Sequence, residues 1–139
     1  MSDRKITFEI ITPERTVYSN TVDEVIVPTL QGDVSVMSRH TGMVALVSSG
    51  AVRVRHDGEE VILHVYKGIL GVKPGSVVTI LADSADHINE LDEAVIVAAK
   101  ERVEKILAEK DTLSAVEFAR FEDSLAREIG RLRILEKYR

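Results

Sequence analysis

At 139 residues, 45% hydrophobic and 29% charged, the chain can form one compact domain or a small domain with an appendage, and its composition excludes disorder. It has no cysteine, which excludes disulfides, thiol catalysis and cysteine-ligated metals. A formal net charge of −5, 4% aromatics and no tryptophan argue against a nucleic-acid surface built on stacking and phosphate contacts. No apolar run nears the roughly 18 residues that a membrane span needs. The opening MSDRKITFEI passes straight into a strand-like pattern, unlike a secretory signal.

From residue 4 to about Ala82 the pattern has period two, the mark of half-buried strands. Ile6, Phe8 and Ile10 alternate with Lys5, Thr7 and Glu9. The alternation returns at residues 24–27, 34–36 and 52–55. Residues 61–66 and 77–81 are continuously apolar or nearly so, which predicts strands covered on both faces. Turn signals separate the runs: Thr12-Pro13-Glu14, Gln31-Gly32-Asp33, Ser49-Gly50, Asp57-Gly58 and Lys73-Pro74-Gly75. Asp57-Gly58 is the strongest hairpin signal, because both residues tolerate positive φ. The spacing predicts a β-sandwich of about eight to ten strands. With no helical pattern between strands, a parallel sheet is not expected.

The period changes near Asp83. Residues 89–109 lack proline and glycine, and Leu91, Val95, Ala98, Arg102 and Ile106 fall near helical spacing. Lys110-Asp111-Thr112 breaks the pattern, and Ser114 with Glu117 fits a capping box. Phe118, Phe121, Leu125, Ile129 and Leu132 then form one stripe of a second helix. The short connection predicts an antiparallel hairpin. The fold class is therefore α+β, with a β-sandwich over residues 1–86 and a two-helix hairpin over 87–139. Residues 87–119 carry a charge of −4 and residues 120–139 a charge of +2, which favours the pairing. A hairpin with so little area to bury must dock on something to be ordered, and a weakly docked one can leave.

Catalytic motifs are absent. His40, His56, His64 and His87 show no metal-ligand spacing, and no nucleophile elbow occurs, so neither a metal site nor an active site is expected. Residues 68–73 lack the phosphate-loop spacing and read instead as a bend within a strand. His40 lies in a loop after a short strand, where it is a turn residue or a partner contact.

Several ordered stretches resemble the epsilon subunit of F-type ATP synthases. They are ITPERTVYSNTVDEVIVPT (11–29), QGDVSVMSRHTGMVALVSSGAVRVR (31–55), GILGVKPGSVVTILAD (68–83), LDEAVIVAAKERVEKIL (91–107) and IGRLRILEKYR (129–139). The resemblance covers nearly the whole chain. It implies a non-catalytic subunit whose sandwich meets the gamma subunit and the ring of c subunits. It also implies a hairpin that can extend into the alpha/beta catalytic head and impede ATP hydrolysis. Such a protein would sit peripherally on the cytoplasmic face of a bacterial inner membrane, touching the membrane only through the complex.

Carried over residue by residue, Asp33 and His40 match the family's loop near the rotor ring and gamma, although Ser38-Arg39 replaces its usual Pro-Gly. In the basic tail, Arg127, Arg131, Arg133, Ile134, Leu135, Lys137 and Arg139 are expected to contact a partner. Some members bind ATP on the hairpin through (Ile/Leu)-Asp-x-x-Arg-Ala and two arginines. Leu91-Asp92 fits the start, and Arg127 and Arg131 match the arginines, but Val95 and Ile96 replace Arg-Ala. Losing that guanidinium weakens any ATP site, because a planar charged donor is missing. The alternatives are an ATP-sensing hairpin on a β-sandwich and an adaptor outside the synthase.

Overall fold

A computed structural model describes residues 5–138, so Arg4 and Arg139 lie outside the described residues. The chain divides into two compact units, one ending at Ile88 and the next beginning at Asn89, two residues beyond the expected boundary.

The first unit holds eight strands: β1 (Ile6–Ile11), β2 (Thr16–Val22), β3 (Glu24–Thr29), β4 (Gly32–Val36), β5 (Met43–Val47), β6 (Gly50–His56), β7 (Glu59–Lys73) and β8 (Val77–His87). They form two layers that share the long strands β7 and β8. In one layer β2, β1, the first half of β8, the second half of β7 and β5 lie side by side. In the other, β4, β3 and β6 continue into the first half of β7 and the end of β8. The core between the layers is apolar, with Phe8, Ile10, Val25, Val52, Leu63, Leu70 and Ile80 all fully buried. Pairing is antiparallel except for β1 with β8, which run parallel. Parallel strands need a crossover, which a helix usually supplies. Here the six intervening strands supply it, so the helix-based expectation missed this pair.

The Asp57-Gly58 turn forms as expected, with φ of 50° and 80° and His56 facing Glu59 across its base. The bend expected in residues 68–73 falls one residue earlier. Core-facing residues of β7 are Leu63 and Val65, then Leu70 and Val72. Their parity reverses between the two sets, so one residue must leave the pleat. That residue is Lys67, at φ 51°. The β7–β8 ladder runs Tyr66 to Ser84 and then Gly68 to Ala82, passing over Lys67 and Asp83. Here β7 also changes its other neighbour, from β6 at Val65 to β5 at Gly68. This is the corner where two strands pass from one layer to the other. A left-handed φ costs a non-glycine residue about 1–2 kcal/mol.

Gly68 follows because no side chain fits there. A Cβ would stand 2.8 Å from the Leu81 carbonyl oxygen, a backbone atom with little freedom to retreat. Gly68→Ala is expected to destabilise the unit by about 1–3 kcal/mol in urea unfolding. Gly71→Ala is the control, since its Cβ would meet only the Thr79 oxygen at 3.9 Å. It should stay within about 0.5 kcal/mol of the parent.

The second unit holds α1 (Glu93–Ala108) and α2 (Ala115–Tyr138), which pack on each other as a hairpin. Lys100 of α1 lies beside Ile129, Leu132 and Glu136 of α2. Asp92 caps α1, its Oδ1 accepting from the backbone N–H of Ala94 at 3.0 Å and of Val95 at 3.4 Å. The capping box forms as expected: the Ser114 N–H donates to Glu117 Oε1 at 3.2 Å and the Glu117 N–H donates to Ser114 Oγ at 3.1 Å.

The Ser114 backbone N–H, and then its hydroxyl, hold the Glu117 carboxyl below its ordinary range. A depressed carboxylate pKa stabilises the fold above the unfolded value and is lost as pH falls through the folded one. Ser114→Ala is therefore expected to raise amide exchange in the first turn of α2 about fivefold near neutral pH, the usual size of an N-cap loss. The difference from the parent should shrink below about pH 4.

The expected stripe of α1 is displaced. Ile96 and Val103 are buried, whereas Val95, Ala98 and Arg102 are exposed. Apolar residues stand in adjacent pairs at 95/96, 98/99 and 106/107, which allows two phases about 100° apart. Packing selects the one that buries Ile96 and Val103. On α2 the stripe of Phe118, Phe121, Leu125, Ile129 and Leu132 is half-buried, while Glu128, Ile134 and Leu135 are the buried residues.

Candidate functional site

The two continuously apolar runs behave differently. In residues 61–66, Leu63 and Val65 face the core, and the alternating Ile62, His64 and Tyr66 are buried too, as expected. In residues 77–81, Val78 and Ile80 are fully buried but Leu81 is 55% exposed. The expectation of cover on both faces fails here.

Leu81 is not alone. Cross-strand partners in a sheet point to the same face. Leu46 of β5 pairs with Ile69 of β7, Ile69 with Leu81 of β8, and Leu81 with Ile11 of β1. They form one apolar row on the outside of a layer, with Leu46 57% and Ile69 46% exposed. Leu30, Pro13 and Val47 extend it into a shallow open groove of about 650 Å³. Lys67, Asp83 and Thr12 are the polar residues of its lining. Exposed Val44 stands two residues from Leu46 on the same strand face. A contiguous exposed apolar row is an interaction surface rather than a scatter of single residues. The sequence signal was present, since Leu46 and Leu81 occupy the outward phase of alternating strands. It went unread because an apolar run does not say which molecule covers its second face.

Asp33 lies exposed on β4, opposite Pro28 of β3. His40 is half-buried in the loop before β5, its Nδ1 2.7 Å from the Thr41 carbonyl oxygen and its N–H donating to the Met37 carbonyl at 3.3 Å. Arg39 takes φ 64° and its N–H donates to Ser76 Oγ at 2.9 Å. The left-handed conformation that glycine adopts freely is thus held here by an arginine.

The basic tail is divided by the fold. Arg133 and Lys137 are exposed, with Lys137 Nζ 5.3 Å from the centre of the Tyr138 ring. Ile134 and Leu135 are each only 5% exposed. Expected to face a partner, they lie buried with Glu128 in this conformation. Arg131 donates to Glu128 Oε1 at 2.7 Å, three residues back on its own helix. Glu128 is buried, and sequence reading missed it because nothing in the local pattern sets it apart from the other acidic residues of α2. Arg127 is half-buried, and its Nε has no hydrogen-bond partner among the described residues. Asp92, the proposed nucleotide contact, is engaged in capping α1.

Distance in sequence hid one further cluster. Lys5 Nζ lies 2.8 Å from Asp23 Oδ1 and 3.0 Å from Asp57 Oδ1. His56 Nε2 is 3.3 Å from Asp57 Oδ2. Hydrogen bonds to Asp23 and then Asp57 raise the Lys5 pKa, and Lys5 in turn lowers that of Asp23. Asp23, His56 and Asp57 have donor atoms close enough for a cation, but the Lys5 ammonium already supplies the positive charge there. The cluster ties the start of β1 to the β6–β7 turn. His64 is fully buried, its Nδ1 3.7 Å from Asp86 Oδ2 on the adjacent strand.

Comparisons with known proteins agree with this architecture. Residues 5–88 match a family model described as ATP synthase, Delta/Epsilon chain, beta-sandwich domain. The ATP synthase epsilon chain of Nitrosococcus oceani is 36% identical over 132 residues, covering 94% of this chain and 92% of the relative. That of Nitrosomonas europaea is 37% identical over 134 residues, with the same two shares. Among solved structures, a chain of the Euglena gracilis mitochondrial ATP synthase OSCP/F1/c-ring assembly aligns with a TM-score of 0.74 at 18% identity, covering 95% of this chain and 82% of that one. A sandwich of this topology followed by two helices defines, with these matches, a central-stalk subunit of an ATP synthase. The chain belongs to the ATP synthase epsilon-chain family. No helix among the described residues is long and apolar enough to cross a membrane.

Proposed function

We propose that the sandwich couples the rotor ring to the catalytic head, docking on the gamma subunit through the Leu46–Ile69–Leu81 row, with Asp33 and His40 toward gamma and the c ring. The observation that carries this reading is the bare apolar row across four strands, which needs a protein partner to cover it. The hairpin, a compact unit of its own from Asn89, is the arm that limits ATP hydrolysis. Exposed Arg133 and Lys137, with Arg139 beyond the described residues, would meet acidic surface on the alpha/beta head. The subunit is non-catalytic and works on the cytoplasmic face of a bacterial inner membrane. The test compares ATP hydrolysis by the reconstituted complex carrying either the full chain or a chain ending at Ile88. The truncated form should hydrolyse faster, and equal rates would remove the inhibitory role.

One observation favours a second reading, ATP on the hairpin: the unpartnered Nε of Arg127. Against it, Asp92 is spent on a cap and Arg131 on Glu128. Titration calorimetry of the full chain with millimolar ATP decides between them, and absence of heat would leave the arm without a nucleotide switch.

A further inference from the structure

We infer that Ser76 is a positioning residue for the rotor-ring contact, its hydroxyl fixing the loop that presents His40. This rests on the reading above that His40 faces the ring. Ser76 ends the turn between β7 and β8 and takes φ 63°. Arg39, in the loop between β4 and β5, takes φ 64°. The two stand 37 residues apart in sequence, and the Arg39 N–H donates to Ser76 Oγ at 2.9 Å. Two non-glycine residues in the left-handed region thus meet through one hydrogen bond. Glycine would hold either conformation at no steric cost. At position 76, however, glycine has no side-chain oxygen to accept the Arg39 N–H. Strain of this kind persists where the surroundings fix it, and it gathers at functional sites.

Ser76 is itself firmly held. Its carbonyl oxygen accepts the Thr7 N–H at 2.9 Å, which ties it to β1. The next residue, Val77, pairs with Thr7 of β1 and with Lys73 of β7. The loop leans on the same turn at its far end, where a Cβ on Gly42 would lie 3.6 Å from Pro74 Cδ. Between these supports the His40 N–H reaches the Met37 carbonyl at 3.3 Å, too long for a strong bond. His40 follows Arg39 directly. Since φ and ψ are the soft dihedrals of the backbone, releasing Arg39 from φ 64° re-aims His40. A loop already fixed in its binding shape loses little freedom when it docks.

The experiment uses the full chain in complex with its gamma-type stalk subunit and the detergent-solubilised ring of c subunits. Plasmon resonance measures affinity, hydrogen exchange reads the Arg39 amide, and thermal unfolding reads stability. Ser76→Ala and Ser76→Gly both remove the hydroxyl, but only glycine also relieves the positive φ. Both should raise Arg39 exchange and weaken ring binding about fivefold, the size of one hydrogen bond, with Ser76→Gly keeping the higher Tm. Parent affinity in both variants, or affinities that merely follow the two Tm values, would overturn the inference. His40→Ala separates the two readings. If it binds the ring as tightly as the parent, the loop does not meet the ring and the reading beneath is wrong. If it loses binding while Ser76→Gly does not, the contact stands and the role of Ser76 falls.

Discussion

Replacing Leu46 and Leu81 together with glutamate is expected to weaken association with the gamma subunit by more than about 100-fold while leaving the fold intact. Both side chains are more than half exposed, so the isolated chain loses little packing when they change. Surface substitutions of this kind usually stay within about 0.5 kcal/mol. In a complex that covers the row, each leucine, a little over half exposed, would contribute about 0.8–1.7 kcal/mol of further burial, about 1.6–3.4 kcal/mol for the pair. At 1.4 kcal/mol per tenfold change this is a loss of about one to two orders of magnitude, and the cost of burying two carboxylates carries it past 100-fold. Binding measured by plasmon resonance, beside thermal unfolding, checks both halves. Unchanged affinity would show that the row faces water in the complex.

Phe8→Ala is expected to have the largest effect on stability, about 3–5 kcal/mol. The ring is fully buried in the sandwich core, and its centroid is 5.8 Å from that of Tyr18 in a tilted arrangement. Removing it leaves a cavity among side chains fixed by eight paired strands, which cannot close around it. For a unit of this size each kcal/mol moves the melting point by roughly 4–8 °C, so a fall of roughly 15–30 °C is expected. Calorimetry of the full chain checks it. A shift under about 5 °C would mean that the core relaxes far more than its close packing allows.

Much of this architecture is legible along the chain because its signals are local. Alternation at Ile6, Phe8 and Ile10 places those three in the core, since successive side chains of a strand point to opposite faces. Asp57-Gly58 specifies its own turn through two positive φ values. Ser114 and Glu117 specify the start of α2 through reciprocal hydrogen bonds three residues apart. Each of these needs only neighbours in sequence.

The misreadings share a different cause. Val95 and Ile96 are equally good apolar residues for a helix face, and only packing chooses between them. Ile134 and Leu135 sit in a basic stretch whose charge suggests an outward face, yet the helix phase buries them. The apolar row joins Ile11, Leu46, Ile69 and Leu81 from four strands. Local pattern alone thus determined that this chain is a short-stranded sandwich followed by a capped helical hairpin, because period, turn chemistry and capping act over a few residues. Which faces close and which stay open was decided only in three dimensions. There β7 and β8 cross between layers at Lys67 and Asp83, and the register of four strands aligns single leucines and isoleucines into one surface.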